Sequence, residues 1–104
     1  MLAHVGADYV VVGAGAAGCV LAEALSTRHS VTLLEAGGSD RALEVAVPAA
    51  FSKLFKSELD WGLSSQPEPG ANGRSLYLPR GKMIGGSSSM NAMLYIRGRP
   101  SDYD

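Results

Sequence analysis

One stretch limits what this chain can become: residues 8–37 run strand, glycine turn, helix, strand and acid without a break. Tyr9-Val10-Val11-Val12 is an aromatic and β-branched run, the composition of a strand buried on both faces. Gly13-Ala14-Gly15-Ala16-Ala17-Gly18 follows with no spacer. In such a turn the first glycine permits the tight bend and the second lets a pyrophosphate approach the backbone. The third, lacking a side chain, lets the helix pack closely on the strand. Ala16 to Leu25 favours a helix, whose free N-terminal N–H groups and dipole suit an anion at the turn. Val31 to Leu34 reads as a second buried strand and delivers Glu35 at its carboxyl end. That acid lies about 20 residues past the turn, where an adenosine ribose hydroxyl needs an acceptor.

A glycine fingerprint alone is weak. A glycine-rich turn without a ligand could equally join a buried strand to a helix, but it would not explain an acid ending an apolar strand. Strand, turn, helix and spaced acid together predict a Rossmann-like α/β unit, a βαβ dinucleotide site.

With 104 residues the chain holds at most one domain. A complete doubly wound domain needs several βαβ units, and one is legible. A net charge of −1 gives no hint of nucleic acid or of an acidic substrate. The charge is unevenly placed, however. Between Glu68 and Asp102 stand Arg74, Arg80, Lys82, Arg97 and Arg99 with no acid among them. A solvated loop surface is one reading; the sharper one turns one or two of these toward an anionic cofactor or a missing part of the protein.

Cys19 is the only cysteine, so no disulfide framework exists. It follows Gly18 on the proposed helix, where a small side chain fits, and no nearby His marks it as a catalytic thiol. The uncharged run from Tyr9 to Ala22 imitates a secretory signal, yet Asp8 precedes it and no Lys or Arg does. It is also too short for a membrane span, and a cytoplasmic protein is the expectation.

After the acid, Gly37-Gly38-Ser39-Asp40 breaks the pattern. Pro48 to Phe55 fits a short helix with proline in its first turn and Phe51, Leu54 and Phe55 on one core-facing side. Asp60-Trp61-Gly62-Leu63 begins an extended segment, Asn72-Gly73 signals a hairpin, and Ser75 to Leu78 is its returning strand. His29 reads as a solvated helix-end residue and His4 as part of a frayed leader; neither receives a role.

The second informative stretch is Pro79-Arg80-Gly81-Lys82-Met83-Ile84-Gly85-Gly86-Ser87-Ser88-Ser89-Met90-Asn91-Ala92. Paired glycines, three serines and a helix-compatible run predict N–H and hydroxyl donors gathered at a helix start. Taken alone, the same residues are also an ordinary flexible loop.

Here the chain resembles a known family, the glucose–methanol–choline (GMC) oxidoreductases. Gly81, Gly85-Gly86-Ser87-Ser88, Asn91, Tyr95, Gly98 and Asp104 are similar to that family's first signature over its whole length. The opening glycines, with Glu35-Ala36-Gly37-Gly38, resemble its flavin-binding start. Val47-Pro48-Ala49, Asp60-Trp61 and Gln66-Pro67-Glu68-Pro69 resemble its choline dehydrogenase-like branch.

The resemblance implies FAD rather than NAD, with residues 1–104 as the N-terminal part of an FAD-binding domain. It implies a cofactor-binding set of Gly13, Ala14, Gly15, Ala16, Ala17, Gly18, Glu35, Ala36, Trp61, Gly85, Gly86, Ser87, Ser88, Asn91, Ala92 and Met93. Glu35 would take the adenosine ribose and the Gly85–Asn91 loop would approach the pyrophosphate and the flavin ring. Trp61 would lie near the adenine, a core tryptophan being the alternative. Some members attach FAD through a His where this chain has Met90, so non-covalent FAD is expected. The family's catalytic His and its partner lie near the far C-terminus of a longer chain, and nothing here matches them.

The implied reaction is alcohol oxidation by hydride transfer to flavin, with a small primary alcohol and an electron acceptor as partners. The alternatives are the family's lyases, including hydroxynitrile lyases and light-driven fatty-acid decarboxylases, and a non-catalytic nucleotide-binding module. The chain stops on the signature's last position, Asp104, and a truncated piece of a longer protein is the expectation.

Overall fold

A computed structural model describes residues 6–104; His4 lies outside them. Strand β1 (Tyr9–Val12), helix α1 (Ala16–Ser26) and strand β2 (Val31–Leu34) form the βαβ unit. The strands pair in parallel, Tyr9 opposite Val31 through Val12 opposite Leu34. At their amino ends Asp8 and Ser30 close on each other. The Asp8 carboxylate accepts from the Ser30 N–H at 2.9 Å and hydroxyl at 2.8 Å. These bonds hold the Asp8 carboxyl below its usual value.

Helix α1 packs closely because Gly18 has no side chain: a Cβ there would stand 1.9 Å from the Gly13 carbonyl oxygen and 3.4 Å from Val11. This close approach is the structural use of the third glycine. Side chains alternate along a strand, so Val10, Val12, Thr32 and Leu34 share the opposite face. No described element covers that face, and Val12 is 82% exposed. The expectation of strands buried on both faces is therefore not met within residues 6–104. The composition matches a covered strand, and α1 supplies cover on one side only.

The core lies under the second half of the chain. Leu54, Met83 and Met90 are buried together, with Val45, Phe55 and Leu59 packed against them. A short helix α2 (Leu43–Ala46) leads to a 3₁₀ segment, Pro48–Leu54, with proline at its start as expected. Its winding is tighter than an α-helix, and Phe51 meets Phe55 edge-on at 5.7 Å.

The hairpin forms with shorter strands than expected. Strand β3 (Leu63–Ser64) pairs antiparallel with β4 (Tyr77–Leu78), and Glu68 bridges Arg74 at the turn. Asn72 and Gly73 both adopt positive φ, 55° and 74°, the conformation that makes this pair a hairpin signal. The Gly-Gly-Ser stretch departs further from expectation: Gly86–Ser89 makes one 3₁₀ turn and no α-helix follows. Asn91 diverts the chain, accepting from the Met93 N–H at 2.7 Å and donating to the Ser88 carbonyl at 3.2 Å. Such local side-chain bonds compete with a helix, and Met93 at φ 57° ends it.

Candidate functional site

The two glycine stretches meet at the carboxyl ends of β1 and β2. Gly13 turns the chain at φ 95°, and its N–H donates to the Leu34 carbonyl at 2.7 Å. Glu35 then reaches back across the turn. One carboxylate oxygen accepts from the Ala14 N–H at 2.7 Å and the other from the Gly37 N–H at 2.8 Å. Each oxygen keeps a further lone pair, so Glu35 can fix the turn and still accept from a ligand.

The second stretch docks onto the first through backbone. The Gly85 N–H donates to the Ala14 carbonyl at 2.7 Å, and Gly15 bridges Gly85. Gly86 packs so near that a Cβ on it would stand 3.0 Å from the Gly15 Cα. Further along, the Ile84 N–H donates to the Gly38 carbonyl at 3.0 Å. The missing side chain of Gly86 is what permits this approach.

A third segment closes the site. The Trp61 N–H donates to the Arg80 carbonyl at 2.9 Å and the Lys82 N–H to the Leu59 carbonyl at 2.7 Å. The Lys82 ammonium sits 5.0 Å from the centre of the Trp61 ring, a cation–π contact. Between these walls lies a cleft of about 810 Å³. Gly13, Gly15, Glu35 and Ala36 line one side, Trp61, Leu63, Arg80 and Gly81 another, and Gly86 and Ser87 the end, with Val12 and Leu34 contributing apolar surface.

Helix α1 begins at the cleft with Gly15 as its N-cap and no side chain capping it. Its first N–H groups therefore lack the usual partners and suit an anion. Gly15 itself is informative. Its φ of −77° and ψ of −173° are open to any residue, and a Cβ there would meet nothing within 4 Å. Nothing in the fold requires glycine at this position. A side chain would instead occupy the mouth of the helix, so the missing Cβ is a cradle that a phosphate can fill.

Of the residues expected at the site, Gly13, Gly15, Glu35, Ala36, Trp61, Gly86 and Ser87 line this cleft. Ala14 is buried beneath it, lending its N–H to Glu35 and its carbonyl to Gly85. Ala16 and Ala17 open α1, Gly18 lies under Gly13, and Gly85 joins the two stretches. Ser88, Asn91 and Met93 line a smaller hollow of about 240 Å³ with Glu44 and Phe51. Ala92 is exposed and lines neither.

Sequence reasoning missed Val12, Leu34, Leu63 and Gly81. Ligands gather at strand carboxyl ends in α/β folds, a rule that reaches Val12 and Leu34. Arg80 stood within the acid-free basic stretch and is the one cation lining the cleft among the described residues. His29 meets Tyr9 edge-on at 5.0 Å, at the amino ends of the strands and away from the cleft.

A parallel βαβ unit with a glycine turn, an uncapped helix start and an acid at the second strand's end defines a Rossmann-type dinucleotide-binding protein. Residues 7–104 match the family model described as GMC oxidoreductase. The chain belongs to that family. It is 53% identical over 100 residues to an oxygen-dependent choline dehydrogenase of Photobacterium profundum, covering 93% of this chain and 18% of that protein. It is 51% identical over 100 residues to a chloroplastic fatty acid photodecarboxylase of Chlamydomonas reinhardtii, covering 93% and 16%. The solved pyridoxine 4-oxidase from Mesorbium loti superposes with a TM-score of 0.88 at 40% identity, covering 94% of this chain and 20% of that one. The chain thus spans about a fifth of the length of the proteins it resembles. Family and solved neighbours support FAD as the dinucleotide. No described helix is long and apolar enough to cross a membrane.

Proposed function

We propose that this chain is the FAD-binding part of a flavin-dependent oxidoreductase that oxidises an alcohol to an aldehyde. The carrying observation is Gly15, a glycine that the fold does not need, at the uncapped start of α1 and facing the cleft. Bound FAD supplies the hydride acceptor. The chain's own residues bind and orient it: the Gly13–Gly15 backbone and the α1 amino end hold the diphosphate, and Glu35 accepts from the adenosine ribose. Trp61 and Leu63 give the adenine an apolar wall.

In the Gly85–Ser88 turn the N–H groups of Gly85, Gly86 and Ser88 and the Ser88 hydroxyl are spent inside the protein, which leaves Ser87, at the cleft, to donate toward the dinucleotide. No role in taking the proton of the alcohol is given to His29; the resemblance assigns that step to a histidine of the family's C-terminal part. The substrate is a small primary alcohol, and an electron acceptor reoxidises the flavin; the choline dehydrogenase-like segments support the former. A lyase remains the second reading, favoured by the photodecarboxylase relative. Product analysis with alcohol and with fatty acid under light separates the two.

FAD is held without a covalent bond in this reading. Met90 is 2% exposed in the Leu54–Met83 cluster, and a thioether cannot form the histidyl link. Acid precipitation should leave a colourless pellet and yellow supernatant. A cytoplasmic location completes the proposal, and cell fractionation checks it. The binding reading itself is tested by titrating the purified chain with FAD and ADP while following flavin and tryptophan fluorescence. Saturable binding of both is expected, and binding of neither overturns it.

A further inference from the structure

Asp60 is the buried charged side chain of the described residues, 7% exposed. One carboxylate oxygen accepts from the N–H groups of Gly62 and Arg80, each at 3.1 Å. The other accepts from the Lys56 N–H at 2.8 Å and from the Tyr77 hydroxyl. Four donors fill its acceptor sites. Burial acts to raise this carboxyl, but the bonds from Tyr77, Lys56, Arg80 and Gly62 overcome it and hold it at about 2. It is an anion throughout the neutral range.

The donors come from two segments, residues 56–62 and 77–80, which also meet through the Phe55–Tyr77 ring contact and the backbone bonds at Trp61 and Lys82. Lys56 and Gly62 flank the turn that presents Trp61, Tyr77 lies in β4, and Arg80 follows β4. Trp61 and Arg80 both line the cleft, and each adjoins or directly donates to this carboxylate. A buried charge is a costly way to staple a loop when apolar packing would serve. The specificity it gives here is of placement, since one group fixes the backbone, at Gly62 and at the Arg80 N–H, from which an aromatic face and a cation rise on the same wall.

We propose that Asp60 is the positioning residue for the ADP half of the dinucleotide. It sets Trp61 and Arg80 as one wall opposite the glycine turn, so that adenine and diphosphate are met together. Lys82, over the Trp61 ring, adds positive potential behind that wall. This rests on the dinucleotide reading above.

The test compares the wild-type protein with Asp60→Asn, which keeps the size of the side chain but turns an amide donor toward existing donors. ADP and FAD dissociation constants are measured, together with the quenching of Trp61, the only tryptophan, at saturating ADP. We expect both ligands to weaken by a similar factor, about tenfold, and the Trp61 quench to be lost. A folded Asp60→Asn protein with unchanged affinity, or with weaker binding but an unchanged quench, overturns the proposal.

If circular dichroism shows that Asp60→Asn does not fold, Tyr77→Phe removes one donor of the four. It should weaken ADP about threefold, and unchanged ADP affinity there overturns the proposal instead. A wild-type protein that binds neither FAD nor ADP refutes the dinucleotide reading itself, a result distinct from either of these.

Discussion

Single residues at the site divide into those the fold needs and those a ligand needs. Gly18 belongs to the first group, because a Cβ would stand 1.9 Å from the Gly13 carbonyl oxygen. Gly18→Ala should destabilise the protein by about 1–3 kcal/mol, the usual cost of overpacking, seen as a lowered denaturation midpoint. Gly15 belongs to the second. Gly15→Ala puts its Cβ within 4 Å of no protein atom and should leave the midpoint closer to wild type than Gly18→Ala does, while weakening FAD about tenfold. Equal stability losses for the two variants would remove the distinction. Asp60 adds a dependence on pH. Its folded value is lowered from 3.8 to about 2, so its contribution is complete above the unfolded value and is lost as pH falls through that window. Stability should drop more steeply between about pH 4 and 2 in wild type than in Asp60→Asn, as acid titration of the far-ultraviolet signal would show. Tyr77 complements it: burial first, then the Asp60 bond, raises its hydroxyl above the ordinary 10.0, keeping it a donor.

At the scale of elements, the site is a junction of three backbone segments, and Gly37 is one of its tight points. A Cβ there would stand 2.0 Å from the Lys82 carbonyl, between β2's exit and the 82–86 segment. Gly37→Ala should therefore part the two glycine stretches without touching either. Hydrogen exchange at the Ile84 amide, bonded to Gly38, reads this directly: we expect its protection to fall at least tenfold, and unchanged protection would show that the junction yields elsewhere. The elements themselves were unevenly legible in the sequence. β1, α1 and β2 appear where periodicity and glycine spacing put them, because a strand–turn–helix carries its signal locally. The helix expected after Ser89 does not form, since Asn91's own side chain captures the backbone. The wall of Trp61, Arg80 and Gly81 was legible only in parts, Trp61 through the family resemblance and Arg80 as one of several basic residues, and its assembly was not. It depends on Asp60 gathering donors from as far as Arg80, and no local pattern announces a contact across 20 residues.

At the scale of the molecule, the described residues are expanded for their number. Their radius of gyration is 17.4 Å, against about 13 Å for a compact domain of roughly 100 residues. Their buried apolar side chains are few, Ala14, Leu54, Met83 and Met90, while Val10, Val12 and Leu34 leave one face of the sheet open. Little apolar area is removed from water, so the conformational entropy of ordering the chain is poorly offset. A ligand that bridges the three segments then matters more to stability than it would in a full domain. Binding to the folded state alone adds about 2.7 kcal/mol at a hundredfold excess over the dissociation constant. For a chain of this size that corresponds to a melting rise of about 10 °C or more. Saturating FAD should produce that rise in the isolated chain. ADP should reproduce a large part of it, because the α1 amino end, Glu35 and the Trp61–Arg80 wall all lie at the ADP half in the proposed reading. The open sheet face should keep binding a hydrophobic dye in both states, since neither ligand covers Val10. A melting temperature that ignores both ligands, with the chain folded, would mean that the cleft does not hold its three walls together through a dinucleotide.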